Sequence, residues 1–171
     1  PVPAVRGGGT AHRTNGDGGT NSLLGAVRLG GAQSHIELRG DYLDVDRGLP
    51  GSIVSPSPEA RQTERRLGAG FGTRLVLGNI VWRADLDASE GKTHYADANP
   101  PTSAPYDDSL RVRQLQATLA GERAFGPARL SLGTEGRWLG IRASSLTAGA
   151  PTTQQVLSGW LQAEFEPALG H

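Results

Sequence analysis

The sequence predicts an all-β fold, an antiparallel meander of about seven long strands. Three observations lead to this prediction. Polarity alternates residue by residue over long stretches, Gly- and Pro-containing turn signals separate these stretches, and no stretch shows the 3.6-residue period of an amphipathic helix. Because successive side chains of a strand point to opposite faces, the pattern indicates a sheet with one apolar and one polar side.

Residues 80–88 show the alternation most clearly. One side of this stretch carries Ile80, Trp82, Ala84, Leu86 and Ala88. The opposite side carries Val81, Arg83, Asp85 and Asp87. The apolar side of such a strand requires either a second protein layer or lipid.

Six further stretches alternate in the same way. Together with residues 80–88, the predicted strands are 21–30, 34–45, 63–77, 110–123, 128–142 and 155–165. Short turns are indicated by Gly30-Gly31, Gly78-Asn79 and Gly126-Pro127. Residues 1–20 and 144–154 lack periodicity and are interpreted as loops. Residues 46–61 and 89–108 contain several prolines, which donate no ladder hydrogen bond, and are interpreted as long connections.

The lengths of the strands and connections are typical of a transmembrane barrel. The predicted strands exceed the five or six residues that are common in globular sheets. Short and long connections alternate, so that one end of the meander has tight turns and the other has long loops, as in outer-membrane barrels. We therefore expect residues 1–171 to form a single segment, part of a transmembrane β-barrel. Since the chain starts at Pro1 without a signal-peptide pattern, we expect a processed product or a piece of a longer protein.

Composition narrows the possible functions. Only 36% of the 171 residues are hydrophobic, and no apolar run approaches the roughly 20 residues of a membrane-spanning helix. The net charge of zero argues against a nucleic-acid partner, which would require a basic excess. The absence of cysteine excludes disulfides, thiolate metal sites and a cysteine nucleophile.

Lipid is the expected partner of the apolar side. No amphipathic helix is available as a second layer, and all seven strands have the same one-sided pattern. Aromatic residues near strand ends are typical of the girdles at membrane interfaces. In this chain they are Tyr42, Trp82, Trp138, Trp160 and Phe165.

Three short segments resemble a known family. Residues 44–51, Asp-Val-Asp-Arg-Gly-Leu-Pro-Gly, resemble the entry to a long loop in the barrel of TonB-dependent outer-membrane receptors. Residues 13–17, Arg-Thr-Asn-Gly-Asp, resemble a pattern that precedes barrel strands there. Residues 95–101, Tyr-Ala-Asp-Ala-Asn-Pro-Pro, resemble the polar, Pro-rich extracellular loops of the same receptors.

The resemblance implies uptake of a scarce ligand, such as a siderophore or cobalamin, at the bacterial outer membrane. The implied partners are outer-membrane lipid, the small-molecule ligand, and a plug domain and TonB that would act through a part of the protein absent from this sequence. Such receptors close with about 22 strands around a plug, whereas this chain has seven predicted strands and no plug. Ligand contacts are expected in the long loops, at Arg47, Leu49, Pro50, His94, Tyr95, Asp97 and Tyr106.

Charged side chains of both signs are expected to line the barrel lumen. The residues predicted to face the lumen are Arg39, Arg83, Asp85, Glu135 and Arg137. The same polar face is expected to hold a larger row of arginines, namely Arg28, Arg66, Arg74, Arg111, Arg113, Arg129 and Arg142. On the lipid side an arginine at mid-bilayer would cost about 2–4 kcal/mol.

Catalytic and metal chemistry find little support. The four histidines are scattered and form no zinc motif, and the aspartates near 41–46 and 85–87 do not have EF-hand spacing. The glycine clusters lack the Lys-Ser or Lys-Thr of a phosphate loop, and no Gly-x-Ser-x-Gly elbow is present. We therefore expect no enzyme activity, no metal and no cofactor.

Two other functions remain open at the level of the sequence. The first is a soluble, lipocalin-like all-β binding domain. The second is a small, self-contained outer-membrane barrel that acts as an adhesin or structural protein. A soluble domain would have to be stable in buffer without detergent. A self-contained barrel would require a further strand that closes the sheet.

Overall fold

Seven long strands form one antiparallel meander, in which every strand pairs with its neighbour in sequence. The computed structural model describes residues 2–3, 10–11, 15–49, 57, 59–100, 105–146 and 152–165. The strands are β3 Gly18–Gly30, β4 His35–Gly48, β5 Arg61–Leu77, β6 Ile80–Asp97, β7 Tyr106–Phe125, β8 Ala128–Ala143 and β9 Thr153–Phe165. The predicted all-β, antiparallel meander is confirmed. The described residues contain no helix of the length and apolarity needed to cross a membrane.

Two very short strands precede the meander. Val2–Pro3, β1, pairs with Thr10–Ala11, β2, in a separate two-stranded sheet. The interpretation of residues 1–20 as loop was therefore wrong at these positions and also at Gly18–Thr20, which already belong to β3.

All seven predicted strands are present, but β6 and β7 are longer than expected. The alternation stops at Ala88, yet β6 continues to Asp97 and pairs without interruption with β7, which starts at Tyr106. The predicted connection at 89–108 was wrong for this reason. Beyond Ala88 both sides of the strand are polar, so periodicity no longer reveals a ladder whose backbone groups are fully paired.

The connections separate the two ends of the sheet. Residues 31–34, 78–79 and 126–127 connect strands at one end, which we call the turn end. Residues 49–60, 98–105 and 144–152 connect strands at the other, which we call the loop end. The predicted alternation of short and long connections is confirmed.

The register places most of the large apolar residues of the seven strands on one side, the apolar face; Leu24, Val156 and Trp160 lie on the other side. One row of directly paired residues runs through Val27, Leu38, Phe71, Leu86, Ala117, Gly136 and Leu157. The adjacent row on the opposite side, the polar face, runs through Arg28, Glu37, Gly72, Asp85, Thr118, Glu135 and Ser158. A slip of one residue in any strand would exchange its two sides, so the register is strongly specified.

Almost no apolar side chain is buried. Among the described residues Ala60 is the only buried hydrophobic one, and most of the large exposed hydrophobic side chains lie on the apolar face. Leu157 is 83% exposed and Leu23 72% exposed. Within the described part of the chain, no second layer covers this face.

The polar face is the more shielded of the two. Along the middle of β7, residues on the polar face are half-buried, whereas those on the apolar face, such as Leu115 and Leu119, are exposed. In β5 the glycines Gly68, Gly70 and Gly72 on the polar face are buried. Side chains are thus crowded on the polar side, as they are on the inner side of a curved sheet.

The β3–β4 turn depends on one glycine. Gly30 has a φ of +115°, and a Cβ at this position would lie 2.5 Å from the carbonyl oxygen of Ser34. An L side chain is strained at this φ. At the adjacent Gly31, by contrast, a Cβ would meet no other atom within 4 Å.

These two glycines provide a matched test of the hairpin. We expect Gly30→Ala to destabilise the β3–β4 ladder by about 1–3 kcal/mol, the usual cost of a forced backbone conformation. Gly31→Ala should change it by less than about 0.5 kcal/mol. Hydrogen exchange of the β3 and β4 amides measures both values, and equal effects at the two positions would contradict the role of Gly30.

Candidate functional site

An ion-pair network covers the polar face. At its centre Arg39 of β4 reaches across β5 to β6, where its Nη2 lies 3.1 Å from Asp87 Oδ1 and 3.7 Å from Asp85 Oδ1. Gly70 of β5 lies beneath this bridge, and a Cβ there would come within 2.6 Å of the Asp87 carboxylate. The absence of a side chain at Gly70 therefore allows a strand to be bridged by a charge pair.

The residues predicted to face the lumen all lie on the polar face. Besides Arg39 and Asp85, Arg83 Nη1 lies 3.2 Å from Glu122 Oε2, and Arg137 Nη2 lies 3.3 Å from Glu135 Oε1. These side chains are substantially exposed, and each such pair contributes about 0–1 kcal/mol. The Arg83–Glu122 pair joins β6 to β7, whereas Arg137 and Glu135 pair within β8.

Three arginines assigned to this face lie on the other one. Arg111 pairs with Lys92, Arg113 with Glu90 and Arg142 with Arg111. These partners share the side of Leu86 and Ala88, so that assignment was wrong. Trp160, expected in an aromatic girdle, lies on the polar face, where its ring covers Gly133. Toward the loop end the apolar face itself carries charged residues. The polarity of a residue alone therefore does not show on which face it lies.

At the loop end of the polar face, four side chains form one row. Arg47, Gln62, Tyr95 and Asp108 are successive partners across β4–β7. Arg47 Nη2 donates a hydrogen bond of 3.0 Å to Gln62 Oε1. The structure thus brings two of the predicted ligand-binding residues, Arg47 and Tyr95, into a common row. We call this row together with Tyr106 the polar rim.

Two tyrosines and a carboxylate dominate the rim. The rings of Tyr95 and Tyr106 have centroids 5.2 Å apart with planes tilted by 60°, a favourable aromatic geometry. Tyr106 Oη donates a hydrogen bond of 3.0 Å to Asp108 Oδ2. Asp108 also accepts from the hydroxyls of Ser144 and Ser145, which attaches the end of β8 to the start of β7.

The rim lies beyond the apolar rows. Its hydrogen bonds shift the pKa values of Asp108 and Tyr106. The Ser144 hydroxyl, followed by that of Tyr106, lowers the pKa of Asp108 from its ordinary value. The hydrogen bond to Asp108 raises the pKa of the Tyr106 phenol. The rim therefore presents an ionised carboxylate and a neutral phenol at neutral pH.

The start of the β4–β5 connection is fixed beside Arg47. Asn15, with a φ of +58°, donates hydrogen bonds to the carbonyl oxygens of Ala60 and, at 3.3 Å, Ser57. Gly48 N donates to Asp17 O at 2.7 Å, and Leu49 N donates to Ala60 O at 2.8 Å. These bonds hold the end of β4, which positions the Arg47 side chain.

The other predicted ligand-binding residues are distributed differently. His94 lies on the apolar face with its Nε2 2.8 Å from Asp107 Oδ1. Asp97 is only 2% exposed and accepts a hydrogen bond from the backbone of Asn99. Leu49 is half-buried and follows β4, and Pro50 lies outside the described residues. Five of the seven residues belong to strands, so their placement in loops was wrong: Arg47 in β4, His94, Tyr95 and Asp97 in β6, and Tyr106 in β7.

Two rim residues, Gln62 and Asp108, were missed by the sequence reasoning. Both lie at predicted ends of long connections, where neither periodicity nor a motif marks them. Their role follows from the register, which pairs Gln62 with Tyr95 and Tyr95 with Asp108.

The rim has the chemistry of a binding surface. Aromatic rings, a guanidinium, an amide and a carboxylate are suited to stacking and directed hydrogen bonds with a polar ligand. Within the described residues no group of three or more His, Asp or Glu side chains is arranged to hold a metal ion.

No protein-family model matches the chain. No curated protein matches it significantly. The resemblance to TonB-dependent receptors therefore stays a prediction, and functional proposals depend on the geometry of the sheet.

Proposed function

We propose that this chain forms part of the wall of an outer-membrane β-barrel receptor of the TonB-dependent kind. In this proposal the apolar face contacts lipid, the polar face lines the lumen, and the chain takes part in ligand uptake rather than catalysis. One observation carries the proposal. Large apolar side chains of seven strands share one face that no described element covers, while at the same height Arg39 pairs with Asp87 and Arg83 with Glu122 on the opposite face.

The height of the apolar face supports a position in a bilayer. On β7 the apolar rows extend from Phe125, which pairs with Ala128, to Leu115, which pairs with Trp138. Arg123 interrupts these rows near the turn end, where its guanidinium lies 4.6 Å from the centroid of the Phe125 ring. At about 3.3 Å per residue this stretch is about 33 Å long. With the tilt of about 35–45° common in outer-membrane barrels, it corresponds to roughly the 25 Å of their apolar band.

Aromatic side chains lie at both limits of these rows. Trp138 and Tyr42 are on the apolar face toward the loop end, and Phe125 and Phe165 are on it at the turn end. Rings at such positions favour the interfaces between hydrocarbon and water. This arrangement supports a membrane wall with its long connections on one side.

The same distribution disfavours the soluble, lipocalin-like alternative. A soluble barrel places its apolar side chains inside, away from water. Here the apolar side chains occupy the more exposed face, and the shielded face is charged. Exposure of a continuous apolar surface of this extent would make a water-soluble protein prone to aggregation.

The edges of the sheet favour a segment of a larger barrel over a self-contained one. In the described residues β3 and β9 each pair on one side only, and all their residues are exposed. Unpaired backbone groups cannot be left in hydrocarbon, so further strands must complete the wall. In this proposal the protein that supplies those strands also supplies the plug and the contact with TonB.

The polar rim is the proposed ligand contact. Tyr95 and Tyr106 present two rings beside Arg47 and Asp108 at the loop end, where an external ligand would arrive. A siderophore or cobalamin carries both flat conjugated groups and hydrogen-bonding groups that such a rim suits. The ligand-binding role of Tyr95, Tyr106 and Arg47 is part of this proposal.

Two adjacent positions test the sidedness of the wall. Thr118 and Leu119 lie at the same depth on opposite faces and form no ion pair. The chain has no cysteine of its own. In the full protein in outer-membrane vesicles, we expect Thr118→Cys to react with a small, membrane-impermeant thiol reagent and Leu119→Cys to be protected. Equal labelling, or labelling of Leu119→Cys alone, would contradict the proposal.

Ligand binding is tested at the rim. We expect the double substitution of Tyr95 and Tyr106 by Ala to weaken binding of a ferric siderophore or cobalamin by about tenfold, since each aromatic contact contributes about 0.5–1.5 kcal/mol. Phe125→Ala, at the turn end of the apolar face, serves as the matched control and should leave the affinity unchanged. The measurement is equilibrium binding to purified protein in detergent. Binding of neither ligand, or equal loss in both variants, would refute the receptor role.

A further inference from the structure

A group of cations borders the apolar face at the loop end. One cross-strand row on this face, through β5–β8, consists of Arg65, Lys92, Arg111 and Arg142. Arg113, in the next row toward the turn end, lies on the same face. We call these five residues the basic band. Nothing in the proposed lumen or rim uses them, because they point away from both.

The basic band adjoins the apolar rows directly. Arg113 and Glu90 are followed, one row further toward the turn end, by Ala88, Leu115 and Trp138. The Trp138 ring covers Gly140, the partner of Arg113. A molecule with an anionic head and an apolar tail would therefore find both of its contacts on one continuous surface.

Positive charge is in excess within the band. Glu90 is shared by three cations, with its carboxylate 2.6 Å from Arg111 Nη2, 2.8 Å from Arg113 Nε and 3.4 Å from Lys92 Nζ. Arg65 is paired with Asp44 at 3.2 Å. Arg142 has no ion pair among the described residues. One carboxylate thus faces four cations on β6–β8, and an additional anion would relieve their repulsion.

The band also encloses a groove of about 600 Å³. Arg65, Lys92, Arg111 and Arg142 line it, together with the hydroxyl-bearing Thr63 and Ser109. Arg111 Nε is buried there without a hydrogen-bond partner among the described residues. Guanidinium groups bind phosphate oxygens through paired N–H donors, so a phosphate matches the charge and the arginine lining of the groove.

We propose that the basic band binds the phosphate of an anionic lipid headgroup in the membrane leaflet at the loop end. The inference rests on the proposed membrane position, because that position places the band at the border of the hydrocarbon. A lipid is favoured over a free phosphate by the continuity with the rows of Leu115 and Trp138, along which acyl chains would lie. Basic residues at this depth attract anionic headgroups in general.

The probe is spin-labelled phosphatidylglycerol, compared with spin-labelled phosphatidylcholine, in vesicles that contain the full protein. The motion-restricted fraction of each lipid reports contact with the protein surface. We expect phosphatidylglycerol to be preferred, with a preference that falls as salt rises. The double variant Arg111→Gln and Arg142→Gln should lower the preference by about fivefold for each cation removed. In this variant Glu90 keeps its ion pairs with Arg113 and Lys92.

The matched control is Arg39→Gln with Arg137→Gln, which removes two arginines from the polar face and should leave the preference unchanged. If both lipids were motion-restricted to the same extent, the protein would be inserted in the membrane but would not prefer phosphatidylglycerol. This result would overturn the lipid site alone. A lack of restriction for both lipids would overturn the membrane position as well. Displacement of phosphatidylglycerol by inorganic phosphate, but not by sodium chloride of equal ionic strength, would show that the groove takes free phosphate and would overturn the lipid assignment.

Discussion

The in-register pairing of seven alternating strands is the constraint on which the other features depend. Because each strand changes side with every residue, one register puts Leu38, Phe71 and Leu86 together and Glu37 and Asp85 opposite them. The sheet therefore has a continuous apolar face that its own described residues leave uncovered. The proposed contact with hydrocarbon follows from this face, since burial of apolar surface is the dominant favourable term in folding.

On the polar face, by contrast, charged side chains are crowded on a shielded surface. Small residues in β5 provide the space, and Arg39 crosses above Gly70 to Asp87. Exposed pairs of this kind add little stability individually. Their collective effect is a face of mixed sign, as the proposed water-filled lumen requires, while Lys92, Arg111 and Arg142 lie together on the apolar face.

The sequence was most informative where the two sides of a strand differ in polarity. Residues 80–88 predicted their strand and its two faces correctly, and the turns at Gly78-Asn79 and Gly126-Pro127 were also correct. The pattern failed beyond Ala88, where both sides are polar and His94, Tyr95 and Asp97 looked like a loop. The rim was only partly predictable for the same reason, because Gln62 and Asp108 join Arg47 and Tyr95 through long-range register. Local periodicity carries no information on which strands are neighbours.

The three tryptophans allow the most direct measurement of what covers the apolar face. Trp82 and Trp138 lie on that face, whereas Trp160 lies on the polar face above Gly133. The full protein is reconstituted in vesicles with one of these tryptophans retained at a time and phenylalanine at every other tryptophan position, and fluorescence is recorded with brominated acyl chains. Strong quenching of Trp82 and Trp138 with little quenching of Trp160 is the predicted result. Equal quenching of all three, or quenching of Trp160 alone, would contradict the assignment of the apolar face to lipid.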